Sequence, residues 1–179
     1  MFKKLNFSLK HIPDFNKLKG IKITSFGEHP FPILSYYSVK DYEYLKTFLP
    51  DNLKYLPFDQ LMVAEIIDSN IGHLDPHIDH GVTTVFNYYL ETCDAVTHFY
   101  ELKEGEFGYN YQGRETANIY DFNQVIKTGS FTARNNEAYI LDVSKIHSVE
   151  SIRAGTRQFI QWQWNNMQFE QVHKLLNLL

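Results

Sequence analysis

Cysteine is nearly absent: Cys93 is the one thiol in a chain of 179 residues. A lone cysteine closes no internal disulfide and builds no thiolate zinc cluster, so the chain has to fold without covalent staples, and it suits a reducing compartment. An excess of basic charge is missing too. Lys and Arg number 17 against 21 Asp and Glu, a net charge of −4 with no basic stripe, which argues against a duplex nucleic acid as partner. Apolar runs are short: Tyr139-Ile140-Leu141 and Val85-Phe86 fall far below the roughly 20 residues a membrane-spanning helix needs. The basic start, Met1-Phe2-Lys3-Lys4, is followed by no apolar stretch of the secretory kind. A soluble, cytoplasmic protein with no membrane partner is expected.

What the chain does have is aromatic side chains. Fourteen Phe, 12 Tyr and 2 Trp make up 16% of it, beside ordinary hydrophobic and charged fractions of 44% and 21%. Aromatics favour strands and cores, and tyrosine adds a polar tip, so a β-rich fold with a polar-lined interior is expected. No repeat or low-complexity linker divides the chain, and a single domain over 1–179 follows, with a supporting region at 1–60, a β core at 61–164 and a helix at 165–179. In the first part, Ile21-Lys22-Ile23-Thr24 alternates like a strand. Ser38-Val39-Lys40-Asp41 has the form of a capping box before a helix through Tyr44, Leu45, Phe48 and Leu49, which Pro50 ends. From Leu61 the pattern changes to short strands separated by Gly, Asn and Asp: Leu61–Ile67, His77–Val82, Thr84–Leu90, Ala95–Glu101, Ser130–Arg134, Ala138–Asp142, Ser148–Arg153 and Thr156–Trp164. About eight such strands in roughly 100 residues predict a double-stranded β-helix, or jelly roll, with flanking helices at both ends. Phe169, Val172, Leu176 and Leu179 have helical spacing and predict an amphipathic helix on the outside of a sheet.

The segment Asn70-Ile71-Gly72-His73-Leu74-Asp75-Pro76-His77-Ile78-Asp79-His80-Gly81 concentrates histidine and aspartate. Residues i and i+2 of a strand share a face, so His77 and Asp79 project into one space. An imidazole and a carboxylate so placed are two of the three protein ligands of a non-haem iron(II) centre, whose facial triad is two histidines and one carboxylate. His73-x-Asp75 repeats the pattern, but Asn70 to Pro76 reads as a turn, which favours His77 and Asp79 and leaves the other pair at a pocket rim. Far downstream, His147 begins a strand, a Gly-containing turn follows at Gly155, and Arg157 lies ten positions after His147 on the next strand.

With His77-x-Asp79, His147 and Arg157 in that order, the chain resembles the iron(II)- and 2-oxoglutarate-dependent dioxygenases, in particular prolyl hydroxylases and related small bacterial and phage oxygenases. The resemblance spans about Leu61 to Trp164 and includes Pro76 before His77 and Gly155-Thr156-Arg157. It implies a hydroxylase in which His77, Asp79 and His147 hold iron(II), 2-oxoglutarate and dioxygen take the open positions, and ascorbate assists. It also implies that Arg157 grips the far carboxylate of 2-oxoglutarate through its planar guanidinium. Tyr-Tyr-Leu at Tyr88 to Leu90 resembles a family stretch whose second tyrosine, here Tyr89, holds the same carboxylate, and Asn87 shares its face. Retention of Asp79 sets the chain apart from the halogenating branch, which has a small residue there.

Other assignments stay open at this point. His80 points to the opposite face from Asp79, and His98 reads as an interior histidine with its hydrogen bonds satisfied rather than a fourth ligand. Cys93 beside Asp94 reads as an incidental turn residue. Lys103 to Thr128, with Tyr109, Tyr111, Arg114 and Tyr120, has the composition of a mobile flap. The substrate is either a peptidyl side chain, proline or Asp/Asn-like, or a free small molecule. Two rival functions are a cupin-like metal-binding jelly roll without 2-oxoglutarate chemistry and a non-enzymatic binding protein. An arginine ten residues beyond the distal histidine argues against the first, and three competent ligands argue against the second.

Overall fold

A computed structural model of the chain describes residues 1–26, 33–68, 72–106, 117–151 and 154–178. Its strands are β1 (Phe2–Leu5), β2 (Lys19–Phe26), β3 (Ile33–Val39), β4 (Gln60–Asp68), β5 (Gly72–His73), β6 (His77–Asp79), β7 (Thr84–Glu91), β8 (Val96–Leu102), β9 (Ala117–Ile119), β10 (Val125–Thr132), β11 (Ala138–Asp142), β12 (Ile146–Ser151) and β13 (Gly155–Trp164). The helices are α1 (Phe15–Leu18), α2 (Tyr42–Phe48) and α3 (Phe169–Leu178). One sheet has the order β1-β11-β7-β13-β4-β3-β2, and the other has β10-β8-β12-β6-β9 with β5 also on β12. The fold is therefore mainly β, a jelly roll of two antiparallel sheets with helices toward both ends of the chain.

Alternation along the central strands of the larger sheet builds two cores. On its outer face Phe86, Tyr88, Ile140, Ile160, Trp162 and Trp164 meet residues in and beside the helices, among them Leu18, Leu45, Leu49 and Val172. On its inner face Val85, Tyr89, Tyr139, Leu141 and Phe159 meet Phe99 and Phe131 of the smaller sheet. Both faces of β7 are covered, so every residue from Thr84 to Leu90 is buried. Trp162, fully buried in the outer core, belongs to the class of side chain whose truncation to Ala costs about 3–5 kcal/mol.

The strands expected from Leu61 onward are present, with ends shifted by a few residues. The stretch His77–Val82 pairs only through Asp79, and the strand expected at Ser130–Arg134 begins earlier, at Val125. Three expectations are corrected. The cap of α2 is Asp41, whose carboxylate accepts from the Tyr44 backbone N–H at 2.8 Å. Ser38 lies in β3 instead, where its hydroxyl accepts from the Ile21 backbone N–H at 3.0 Å, because pairing with β2 and β4 outweighs the local capping pattern. Lys103–Thr128 is not one flap: β9 pairs with β6, the start of β10 pairs with β8, and Tyr120 is buried with Tyr100, Val125 and Ile146. Tyr109, Tyr111 and Arg114 lie outside the described residues. Cys93 is more than incidental, since a Cβ on Gly155 would come within 2.9 Å of its Cβ. That close approach seats the turn at Cys93 against the start of the strand that carries Arg157. The C-terminal helix forms as expected, with Phe169 and Val172 buried against the outer core; Leu179 lies outside the described residues.

Candidate metal centre

His77 and Asp79 stand at the two ends of β6, on one face, as period two requires. β12 pairs antiparallel with β6 at a single register point, His77 opposite His147. That pairing closes the 70-residue gap and brings all three side chains together. One ligand atom from each of His77, Asp79 and His147 lies within 4.8 Å of the others. His77 Nε2 is 3.7 Å from Asp79 Oδ1, and His147 Nε2 is 3.9 Å from Asp79 Oδ2. Metal–ligand bonds of about 2.1 Å place adjacent ligand atoms about 3 Å apart, so a shared ion would draw each histidine–aspartate pair in by less than about 1 Å.

The tautomers suit that role. Nδ1 of His77 lies 2.7 Å from the Asp75 carbonyl, and Nδ1 of His147 lies 3.0 Å from the Lys145 carbonyl. In each case a ring N–H donates to the carbonyl two residues earlier, which leaves Nε2 with its lone pair directed at Asp79. Burial, reinforced by the neighbouring His77, pushes the His147 imidazole down to about 4. It is therefore neutral and ready to ligate at neutral pH. The donor set of two imidazoles and one carboxylate on adjacent strands fits a divalent transition metal with open positions.

The triad faces a cavity between the sheets that is open to solvent. Arg157, Tyr89 and Asn87 line the same cavity. Arg157 is 3% exposed. Its Nη2 donates to Thr97 Oγ1 at 3.3 Å, its guanidinium lies 4.6 Å from the centre of the Tyr89 ring, and Nε and Nη1 are buried with no hydrogen-bond partner. No carboxylate among the described residues pairs with it. A buried cation without a counter-charge is costly, and two unpaired guanidinium donors could serve an anion bound in the cavity that Arg157 lines.

Sequence reasoning missed three polar residues of the lining, Tyr36, Thr97 and Gln161. Thr97 shares the inward phase of Phe99 on β8, and Gln161 shares that of Arg157 on β13, so alternation along strands already expected was the signal for both. Tyr36 comes from β3, where no strand was expected. Its side chain is hydrogen-bonded to Gln161, and burial, followed by the nearby charge of Asp79, pushes its hydroxyl above the ordinary tyrosine value.

The remaining histidines stay outside the cluster. His73 is 3.9 Å from Asp75, both are about half exposed, and the His73 ring meets Phe122 edge-on. His80 contacts Asn118. His98 lies between inward-facing Thr97 and Phe99 and so faces away from the cavity; its Nε2 is 2.8 Å from Glu150 Oε2, but its buried Nδ1 has no partner, so its hydrogen bonds are not all satisfied as expected.

No family model and no curated protein matches the chain. Among solved structures it is similar to vicilin from hazelnut (Corylus avellana), with 12% identity and a TM-score of 0.44 over 84% of this chain and 32% of that one. It is similar to E. coli ycfD with 12% identity and a TM-score of 0.44, over 83% of this chain and 37% of that one. The chain spans about a third of the length of each. Fold and site together define a jelly-roll protein with a His-Asp-His cluster able to hold a metal ion. Among the described residues no helix is long and apolar enough to cross a membrane.

Proposed function

We propose that this protein is an iron(II)- and 2-oxoglutarate-dependent dioxygenase that hydroxylates an unactivated C–H bond of a peptidyl side chain or a small molecule. The observation that carries the proposal is Arg157, a buried cation with two idle donors in the cavity that the triad faces. His77, Asp79 and His147 would hold the iron. Iron(II) supplies the redox chemistry by which dioxygen, 2-oxoglutarate and R–H become succinate, carbon dioxide and R–OH, one oxygen atom entering each of succinate and the alcohol. Arg157 binds the far carboxylate of 2-oxoglutarate, and the Tyr89 hydroxyl adds a donor beside it. Leu34, Ile66, Leu141 and Phe159 exclude water around the apolar part of the ligand and so strengthen each polar contact inside. The Asp75 and Lys145 carbonyls hold the ring protons of His77 and His147 and keep both lone pairs directed at the metal.

The test is succinate formation from 2-oxoglutarate, oxygen, ascorbate and the iron-loaded protein, which runs slowly even without a prime substrate. Charge-assisted hydrogen bonds of about 1.5–3 kcal/mol are lost with the guanidinium, so Arg157→Ala weakens 2-oxoglutarate binding by about 10- to 100-fold while metal affinity is nearly unchanged. Equal losses of both would mark Arg157 as structural. No succinate from protein shown to bind iron would leave a metal-binding jelly roll without this chemistry.

A further inference from the structure

Behind Tyr89 runs a chain of buried amides that the metal centre does not use. Gln163 Nε2 donates to Gln161 Oε1 at 2.6 Å, Gln161 Nε2 donates to Asn87 Oδ1 at 2.9 Å, and Asn87 Nδ2 donates to the Tyr89 hydroxyl oxygen at 3.3 Å. All four side chains are buried. The two sheet periodicities explain the row: Gln161 stands opposite Asn87 across the β13–β7 ladder, and each inner pair, 161 with 163 and 87 with 89, is two residues apart on one face. Tyr36 joins the row at Gln161.

The chain has a direction, because each link spends an amide N–H on the next acceptor. At its end the Tyr89 oxygen accepts, and a phenol has one proton to give. Arg157, against the Tyr89 ring, has no acceptor atom. No other described residue takes that proton. The Tyr89 O–H therefore joins Arg157 Nε and Nη1 as a third donor on the cavity wall. With every amide turned over, Tyr89 would donate to Asn87 instead and would offer its lone pairs to the ligand, which a carboxylate disfavours.

We propose that Gln163, Gln161 and Asn87 are positioning residues that hold Tyr89 as a hydrogen-bond donor and thereby make the Arg157 subsite select a carboxylate over the corresponding carboxamide. The inference rests on the 2-oxoglutarate reading above. It acts through orientation alone, since both amide ends of Asn87 are engaged inside the wall and Gln163 is two residues farther along β13 than Gln161.

The experiment is calorimetric binding of 2-oxoglutarate and of its γ-amide, 2-oxoglutaramate, to the protein with and without Mn(II). It compares the parent, Gln161→Glu, Tyr89→Phe and the double variant. A carboxylate at 161 can only accept, so it draws the Asn87 N–H toward itself and reverses the row. Gln161→Glu is expected to cost 2-oxoglutarate roughly tenfold more affinity than 2-oxoglutaramate, about one charge-assisted hydrogen bond. In the Tyr89→Phe background that selective loss disappears, while simple repulsion by the new charge persists. Asn87→Asp reverses the row from the next link and is read in the same way if Gln161→Glu does not fold. An equal loss for both ligands, or a selective loss that persists without the Tyr89 hydroxyl, overturns the relay and leaves the 2-oxoglutarate reading standing. A parent that binds no 2-oxoglutarate with or without Mn(II) overturns both.

Discussion

His73-x-Asp75 and His77-x-Asp79 are the same three-residue pattern set four positions apart, and the fold treats them as opposites. In both pairs the imidazole lies within 4 Å of its carboxylate, at 3.9 Å and 3.7 Å. The differences are in what surrounds them. β12 runs past both, but it puts Glu150 opposite His73 and His147 opposite His77. His73 thus faces the register position of another carboxylate residue and leans on Phe122, whereas His77 faces a second imidazole with its ring proton held by a carbonyl. A metal-binding pair is therefore made by the partner strand's register more than by the pair itself.

Breaking the inner pair has the largest expected effect. Removing an outer-sphere partner from a metal site already costs 10–100-fold in affinity, so His77→Ala, Asp79→Ala and His147→Ala should each weaken binding of a divalent metal by more than about 100-fold in a calorimetric titration. Parent-like affinity in all three would remove the basis for the centre. A smaller effect concerns acid. His147 is held near 4 in the folded protein against an ordinary value of 6.5, so the unfolded chain takes up this proton first as pH falls. The metal-free fold should lose stability between about pH 6.5 and pH 4 on this account and gain no further loss below that window. A neutral His147→Asn variant lacks this contribution. Its melting temperature should fall less than the parent's between pH 7 and pH 4.5, by about 5–10 °C for a protein of this size; parallel curves would show that His147 is not the buried neutral imidazole described. The smallest effect is expected at the rim, where His73→Ala and Asp75→Ala should change metal affinity by less than about twofold. A large loss there would mean that the outer pair also ligates.

The same comparison shows what was legible in the sequence. Alternation along β6 is a local property, so the shared face of His77 and Asp79 followed from residue spacing, whereas Arg157 was singled out by the family resemblance alone. The preference for the inner pair rested on Pro76 and the turn before it, which is also local. The register of β12 is not local. Only the sheet reveals that His147 meets His77 while Glu150 meets His73. Tyr36 was illegible for a related reason: β3 gains its place in the larger sheet by pairing with β4, Tyr36 opposite Ala64, and nothing within Ile33–Val39 says which residue it will oppose. The misplaced cap at Ser38 and the supposed flap at Lys103–Thr128 failed alike, because long-range pairing overrode a local pattern of capping residues and glycines.

β13 has one further consequence, for how such a chain can change in length. Its odd-numbered residues Arg157, Phe159 and Gln161 line the cavity, while Ile160, Trp162 and Trp164 fill the core under the helices. Inserting or deleting one residue before Arg157 within the paired strand exchanges the two sets, burying a guanidinium and an amide among leucines and driving an indole into the cavity. A change of two residues preserves the parity. Length variation in descendants of this sequence should therefore be confined to the connections between strands, or come in steps of two, and a library of single-codon deletions scanned for soluble expression would reveal that rhythm along residues 155–164.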